Sequence, residues 1–107
     1  MKHIEYVFYL SAKQFDRLRV KFYKEKILIL EFVVQYEAKI SGEWQTIVRY
    51  DTRHNFAHRD LIYPNGKTVK SVLEWQDYNL ALTYATEDLK QNWQIYRRNF
   101  EEKINEK

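Results

Sequence analysis

The residues best suited to chemistry lie in one stretch of twelve, Arg49-Tyr50-Asp51-Thr52-Arg53-His54-Asn55-Phe56-Ala57-His58-Arg59-Asp60. It holds two of the three histidines, three arginines and two aspartates. Three readings fit these side chains. In one, His54 and His58 ligate a metal with Asp51 or Asp60 as third donor, a set of imidazole and carboxylate that suits zinc, nickel or ferrous iron. In another, His54 and His58 act as general acid and base, because imidazole changes charge near neutrality. Asp51 then orients a histidine, while Arg49, Arg53 and Arg59 hold phosphate in fork geometry. Tyr50 and Asp60 complete that binding set. In the third reading the cluster is structural: Asp51 caps a turn as Asx residues do, Arg49 and Asp51 pair across strands, and His58 and Asp60 share a polar cluster on one face. Neither a cofactor nor a metal is assigned from the sequence, since the His-x-x-x-His spacing suits a helix and this stretch reads as loop and strand.

Other chemistries are excluded by residue type. The chain has no cysteine, so thiolate zinc sites, disulfides and cysteine nucleophiles are ruled out. Its two glycines, Gly42 and Gly66, sit in turn sequences and belong to no phosphate-binding loop. No Gly-x-Ser-x-Gly elbow occurs. A net charge of +3 with 18 basic and 15 acidic residues permits attraction to phosphate without demanding it. The stretch Arg17, Arg19, Lys21, near Tyr and Phe, could hold single-stranded nucleic acid by charge and stacking. The N-terminal residues alternate as in a strand, and neither a signal peptide nor a membrane span is expected. A cytoplasmic location follows as the expectation.

The elements that must carry these residues follow from periodicity. Ile4, Tyr6, Phe8 and Leu10 alternate with other residues, and Leu18, Val20 and Phe22 alternate with Arg17, Arg19 and Lys21. Both patterns predict strands. Lys24-Glu25-Lys26 reads as a turn. Ile27 to Ile40 is apolar and β-branched, which predicts a long central strand buried on much of both faces. Ser41-Gly42 predicts a tight hairpin, returning through Trp44, Thr46, Val48 and Tyr50 on one side. Asp51 to Asn55 should bend, and Phe56 to Tyr63 should form a strand. Pro64-Asn65-Gly66 marks the next hairpin turn, with its return over Lys67 to Leu73. Asp77 is a suitable N-cap. Tyr78, Leu82, Ala85, Leu89, Trp93, Tyr96, Phe100 and Ile104 then recur at spacings of three and four, the stripe of an amphipathic helix. Its last turns could overhang the sheet.

The expected fold is therefore α+β: an antiparallel sheet of about five to six strands over residues 4–73, packed against one long helix over residues 77–105. One domain accounts for all 107 residues. Aromatic residues make up 17% of the chain, more than a small core can enclose, so some rings should line an edge, a groove or an interface.

The run Val33-Val34-Gln35-Tyr36-Glu37-Ala38, then Trp44, then Val48-Arg49-Tyr50-Asp51-Thr52 with His54 and His58-Arg59-Asp60, resembles a family of small prokaryotic proteins known only as a domain of unknown function. Asp88-Leu89-Lys90 with Asn92-Trp93 and Tyr96 extends the likeness. That family usually has His-Gly where this chain has His54-Asn55, and Asn also tolerates left-handed backbone. The resemblance implies a shared fold and brings no catalytic assignment. The Tyr50-Asp51, His54, His58 stretch is also similar to a short piece of TumE-type toxins. Two functions are carried forward: a nucleic-acid-binding or ribonuclease-like domain acting on RNA, and a non-enzymatic module forming a homodimer or docking a protein partner.

Overall fold

The computed structural model describes residues 1–105. Six strands form one sheet in the order β1-β2-β3-β4-β5-β6, every neighbour antiparallel. They are β1 (Lys2–Tyr9), β2 (Asp16–Glu25), β3 (Leu28–Ile40), β4 (Glu43–Asp51), β5 (His58–Ile62) and β6 (Thr68–Val72). A short 3₁₀ turn, Arg53–Asn55, separates β4 from β5, and α1 (Tyr78–Ile104) follows the sheet. The architecture is the expected α+β meander with a C-terminal helix. No helix among the described residues is long and apolar enough to cross a membrane.

Local sequence explains the turns. Ser41 and Gly42 both have positive φ, 53° and 83°, the backbone that a two-residue hairpin matching strand twist requires. Asn55 has φ 68°, the left-handed backbone that Gly favours and Asn tolerates. Asp77 caps the helix by accepting from the backbone N–H of Asn79 and Leu80.

Alternation sorts the side chains onto two faces. Leu18 and Val20 of β2, Phe32, Val34, Tyr36 and Ala38 of β3, and Val48 and Tyr50 of β4 are buried beneath the helix. From the helix, Ala81, Ala85, Leu89 and Phe100 complete this core, with Tyr78, Leu82, Trp93 and Tyr96 packed around it. The small Ala81 and Ala85 let the backbone of α1 approach the sheet closely. The helix runs in the same sense as β3. Near its start, Asn79 accepts from Ile29 N at 2.9 Å and donates to Ile27 O at 2.7 Å. Towards its end, Arg97 donates to Lys39 O at 3.1 Å.

Three details differ from the sequence expectation. The central strand is not buried on both faces, because one helix can cover only one side of a sheet. Its leading residues are open, with Ile27 82% exposed. Trp44 and Thr46 do not share a side with Val48 and Tyr50. The register slips between Tyr36 and Glu37, placing Ile47 as an extra residue on β4. Such a bulge reverses the alternation beyond it. The strand expected from Phe56 begins at His58. The overhang appears at Ile104, which is exposed, as is the apolar row Tyr6, Val7, Phe8 and Tyr9 along the edge strand β1.

Candidate functional site on the open face of the sheet

The face turned away from the helix carries the charges. Its residues alternate with the core: Arg17, Arg19 and Lys21 on β2, Val33, Gln35 and Glu37 on β3, Arg49 and Asp51 on β4, His58 and Asp60 on β5, and Lys70 on β6. Register places Arg17 opposite Glu37, Gln35 opposite Arg49, Asp51 opposite His58, and Asp60 opposite Lys70. Charges of opposite sign therefore meet across neighbouring strands.

Two networks result. In the first, Glu37 accepts from Arg17 Nε at 2.6 Å and from Arg19 Nε at 3.3 Å. It also accepts a short hydrogen bond from Gln35 Nε2, while Gln35 Oε1 accepts from Arg49 Nε at 3.1 Å. Arg17 in turn lies 3.7 Å above the ring of Trp44, a cation–π contact. Burial alone would raise the Glu37 carboxyl. The donors Arg17 and Gln35 and the charge of Arg19 outweigh it and hold the group below its ordinary value of 4.5. A carboxyl lowered in the folded state stabilises the protein above the ordinary value, and this is lost as pH falls through the folded value. Glu37→Gln is therefore expected to narrow the difference between urea midpoints measured at neutral pH and in acid. A wider difference would contradict this assignment.

The second network is the site of interest. His58 is 1% exposed, covered in part by the ring of Phe56 at 5.0 Å. Its Nε2 lies 2.7 Å from Asp51 Oδ1 and 3.6 Å from Asp60 Oδ2. Its Nδ1 faces the carbonyl oxygen of Phe56 at 3.2 Å. Asp51 also accepts from Arg53 N at 3.2 Å, the Asx turn that bends the chain out of β4. Lys70 Nζ stands 3.5 Å from Asp60 Oδ1, yet that oxygen, although buried, has no hydrogen-bond donor. Contact at the limit of distance supplies charge without a directed bond.

Backbone pins hold this cluster in place. Gln76, just before the helix, accepts from Ala57 N at 2.8 Å and donates to Ala57 O at 3.1 Å and Leu73 O at 2.7 Å. It fixes the start of β5 one residue before His58. Thr52 Oγ1 accepts from Phe32 N at 3.1 Å, which ties the end of β4 to β3.

Beside Asp51 opens a cavity of about 240 Å³, lined by Lys21, Tyr23, Glu31, Val33, Thr52 and Arg53 among others. Neither Lys21 nor Arg53 has a carboxylate partner among the described residues.

The residues singled out in the sequence do not stay together. Asp51, His58 and Asp60 converge. Arg53 and Asp51 reach the cavity, and Arg49 belongs to the Glu37 network. His54 lies outside the cluster, exposed on the 3₁₀ turn with φ 68°. Tyr50 and Arg59 face the helix instead. Tyr50 donates to Asp88 at 2.6 Å, and Arg59 donates to the Tyr96 hydroxyl at 3.3 Å. Parity explains this, because Tyr50 and Arg59 oppose each other across β4 and β5, one position out of step with Asp51 and His58. Gln35, Glu37, Lys70 and Gln76 were not anticipated. Laying the outward residues of adjacent strands side by side would have found the first three. Gln76 lies in irregular backbone and left no periodic signal.

The fold and site thus define a six-stranded antiparallel meander, one face sealed by a helix and the other bearing a buried Asp–His–Asp cluster beside a charged cavity. The chain belongs to the family described as a domain of unknown function, DUF7718, whose model matches residues 1–106. No curated protein and no solved structure matches it.

Proposed function

We propose that the domain binds single-stranded nucleic acid on the open face of its sheet, without cleaving it through its histidines. The observation that carries this reading is the pair Lys21 and Arg53, cations without a carboxylate partner among the described residues that border one cavity together with the ring of Tyr23. Cations positioned to take phosphates and an aromatic ring on which a base stacks are the usual components of such a surface. An uncovered antiparallel sheet offers a platform for them. Glu31 borders the same cavity and moderates its potential, so binding is expected to be modest, with Kd on the order of 10 µM at low salt.

Histidine cleavage is left out for a geometric reason. The acid–base pair that cleavage needs is not assembled: His58 is buried with both ring nitrogens facing protein acceptors, and His54 lies apart from it, exposed on the 3₁₀ turn. Fluorescence anisotropy with labelled single-stranded RNA tests the binding reading. Reversing both cations, Lys21→Glu with Arg53→Glu, is expected to weaken binding at least tenfold, roughly 1.4 kcal/mol or more. Binding that the double variant leaves unchanged, or no binding by the parent protein at low salt, would sink it.

A second reading rests on β1. Its half-exposed Tyr6, Val7, Phe8 and Tyr9 lie on an edge strand whose outer backbone groups have no strand partner, the arrangement that favours pairing with another strand. In this reading two copies join antiparallel through β1. Light scattering would then show a dimer that Val7→Lys disperses, whereas a monomer at every concentration would refute it.

A further inference from the structure

The geometry points to Asp51, His58 and Asp60 as the ligands of a divalent transition-metal ion, a site distinct from the cations of the proposed nucleic-acid surface. One ligating atom from each residue lies within 4.8 Å of the others. The set is one imidazole nitrogen and two carboxylate oxygens, the donor chemistry of zinc, manganese or ferrous iron. No cysteine competes for it.

Four features favour an ion over a purely structural cluster. First, His58 is oriented as metal-bound histidines are, with Nδ1 directed at the carbonyl of Phe56 at 3.2 Å. That bond fixes the tautomer leaving the Nε2 lone pair toward the ion. Second, Nε2 faces two carboxylates at once. Acceptors at both nitrogens are satisfied either by a doubly protonated ring or by a neutral ring whose Nε2 holds a cation. Third, the Asp60 side chain is only 12% exposed, yet its Oδ1 has no hydrogen-bond donor among the described residues. Lys70 Nζ, at 3.5 Å, supplies that oxygen with charge but no directed bond; a carboxylate so held is poorly compensated, and an ion would relieve it. Fourth, Asp51 borders the cavity, which gives an ion an approach from solvent to one of the three ligands.

The spacing needs a small adjustment. Metal–ligand bonds of about 2.0–2.1 Å in tetrahedral arrangement hold ligand atoms roughly 3.3 Å apart. The Asp60 separation of 3.6 Å is near this value. The Asp51 contact, 2.7 Å, opens by about half an ångström as the Nε2 proton leaves to solvent and the ion replaces it.

The test uses the full chain, freed of metal by chelation, in a His3→Ala, His54→Asn background that removes both exposed histidines. Zinc is titrated by calorimetry, and cobalt(II) by its visible absorption. The expected result is one equivalent bound with micromolar or tighter Kd, and a rise in thermal midpoint. Asp51→Asn and Asp60→Asn should each weaken binding at least ~10-fold, since even outer-shell partners matter this much. Lys70→Met removes the cation that competes for Asp60 and should tighten binding several-fold. Its partly exposed position makes this variant safe for folding. Failure of both ions to bind stoichiometrically would overturn the site, as would affinity unchanged in folded Asn variants. If those variants do not fold, Lys70→Met decides: unchanged or weaker binding overturns the assignment.

Discussion

Replacing Asp16 with alanine is expected to destabilise the protein by about 3–5 kcal/mol, the range for removing one partner of a buried ion pair. Asp16 opens β2 and is almost fully buried. Its Oδ1 accepts from the Tyr36 hydroxyl at 2.5 Å and from Arg97 Nη1 at 2.8 Å. Arg97 also donates to the backbone oxygens of Lys39 at 3.1 Å and Phe15 at 3.4 Å. One carboxylate thereby joins β2, β3 and the C-terminal part of α1. Alanine would leave a buried hydroxyl without an acceptor and Arg97 with only the more exposed Glu101, at 3.3 Å, as its carboxylate partner. Asp16→Asn keeps an acceptor for Tyr36 while losing the charge, so it should cost less, about 1–3 kcal/mol. Urea unfolding followed by circular dichroism measures both. A cost below about 1 kcal/mol for the alanine variant would mean that apolar packing around Leu89 and Phe100 docks the helix without help from this pair.

The sequence carried the architecture because its two periodicities are strong and do not overlap. Alternation at Leu18, Val20 and Phe22 marks β2, spacing of three and four from Tyr78 to Phe100 marks α1, and Ser41-Gly42 and Pro64-Asn65-Gly66 mark turns between them. A meander then needs only neighbouring strands to pair in order. What remained hidden depended on register. A single extra residue, Ile47, moves Trp44 to the opposite face, where it meets Arg17, and no local pattern announces it. The candidate site shows the same boundary. Its stretch was legible as a concentration of His, Asp and Arg, and Asp51, His58 and Asp60 do converge. Which arginines accompany them was not legible, because Arg49, Arg53 and Arg59 differ in parity and in distance from the bend. The sheet sends Arg49 to Gln35, Arg53 to the cavity and Arg59 toward the helix. Types and proximity in sequence located the chemistry, and strand pairing decided its membership.

Alkaline solution should unfold this protein cooperatively, and three of its nine tyrosines should ionise only when it does. Tyr36, Tyr50 and Tyr96 lie between sheet and helix, and all three hydroxyls donate to carboxylates. Tyr36 donates to Asp16, while Tyr50 and Tyr96 both donate to Asp88 Oδ2 at 2.6 Å, with Asn92 holding its other oxygen at 2.9 Å. Burial, and then the bond to a carboxylate, raises each phenol above its ordinary value of 10, Tyr96 being pushed up to about 12 despite the nearby Arg59. A phenolate in any of these positions would face a carboxylate in a poorly solvated space. Because these values are raised in the folded state, the stabilisation is complete below pH 10 and is lost as pH rises toward the folded values. Each tyrosine costs about 1.4 kcal/mol per pH unit in that window, roughly 4 for the three together. A domain of ordinary stability, about 5–15 kcal/mol, would lose its fold within a few pH units of 10. Ultraviolet tyrosinate absorbance and circular dichroism, recorded on the same samples, decide the matter. In the expected trace Tyr36, Tyr50 and Tyr96 ionise together with the loss of helix signal. Tyr96→Phe should lower the slope of stability against pH by about a third of that sum. If all nine phenols ionised near pH 10 while the helix signal persisted, Asp16 and Asp88 could not be the acceptors that join this helix to its sheet.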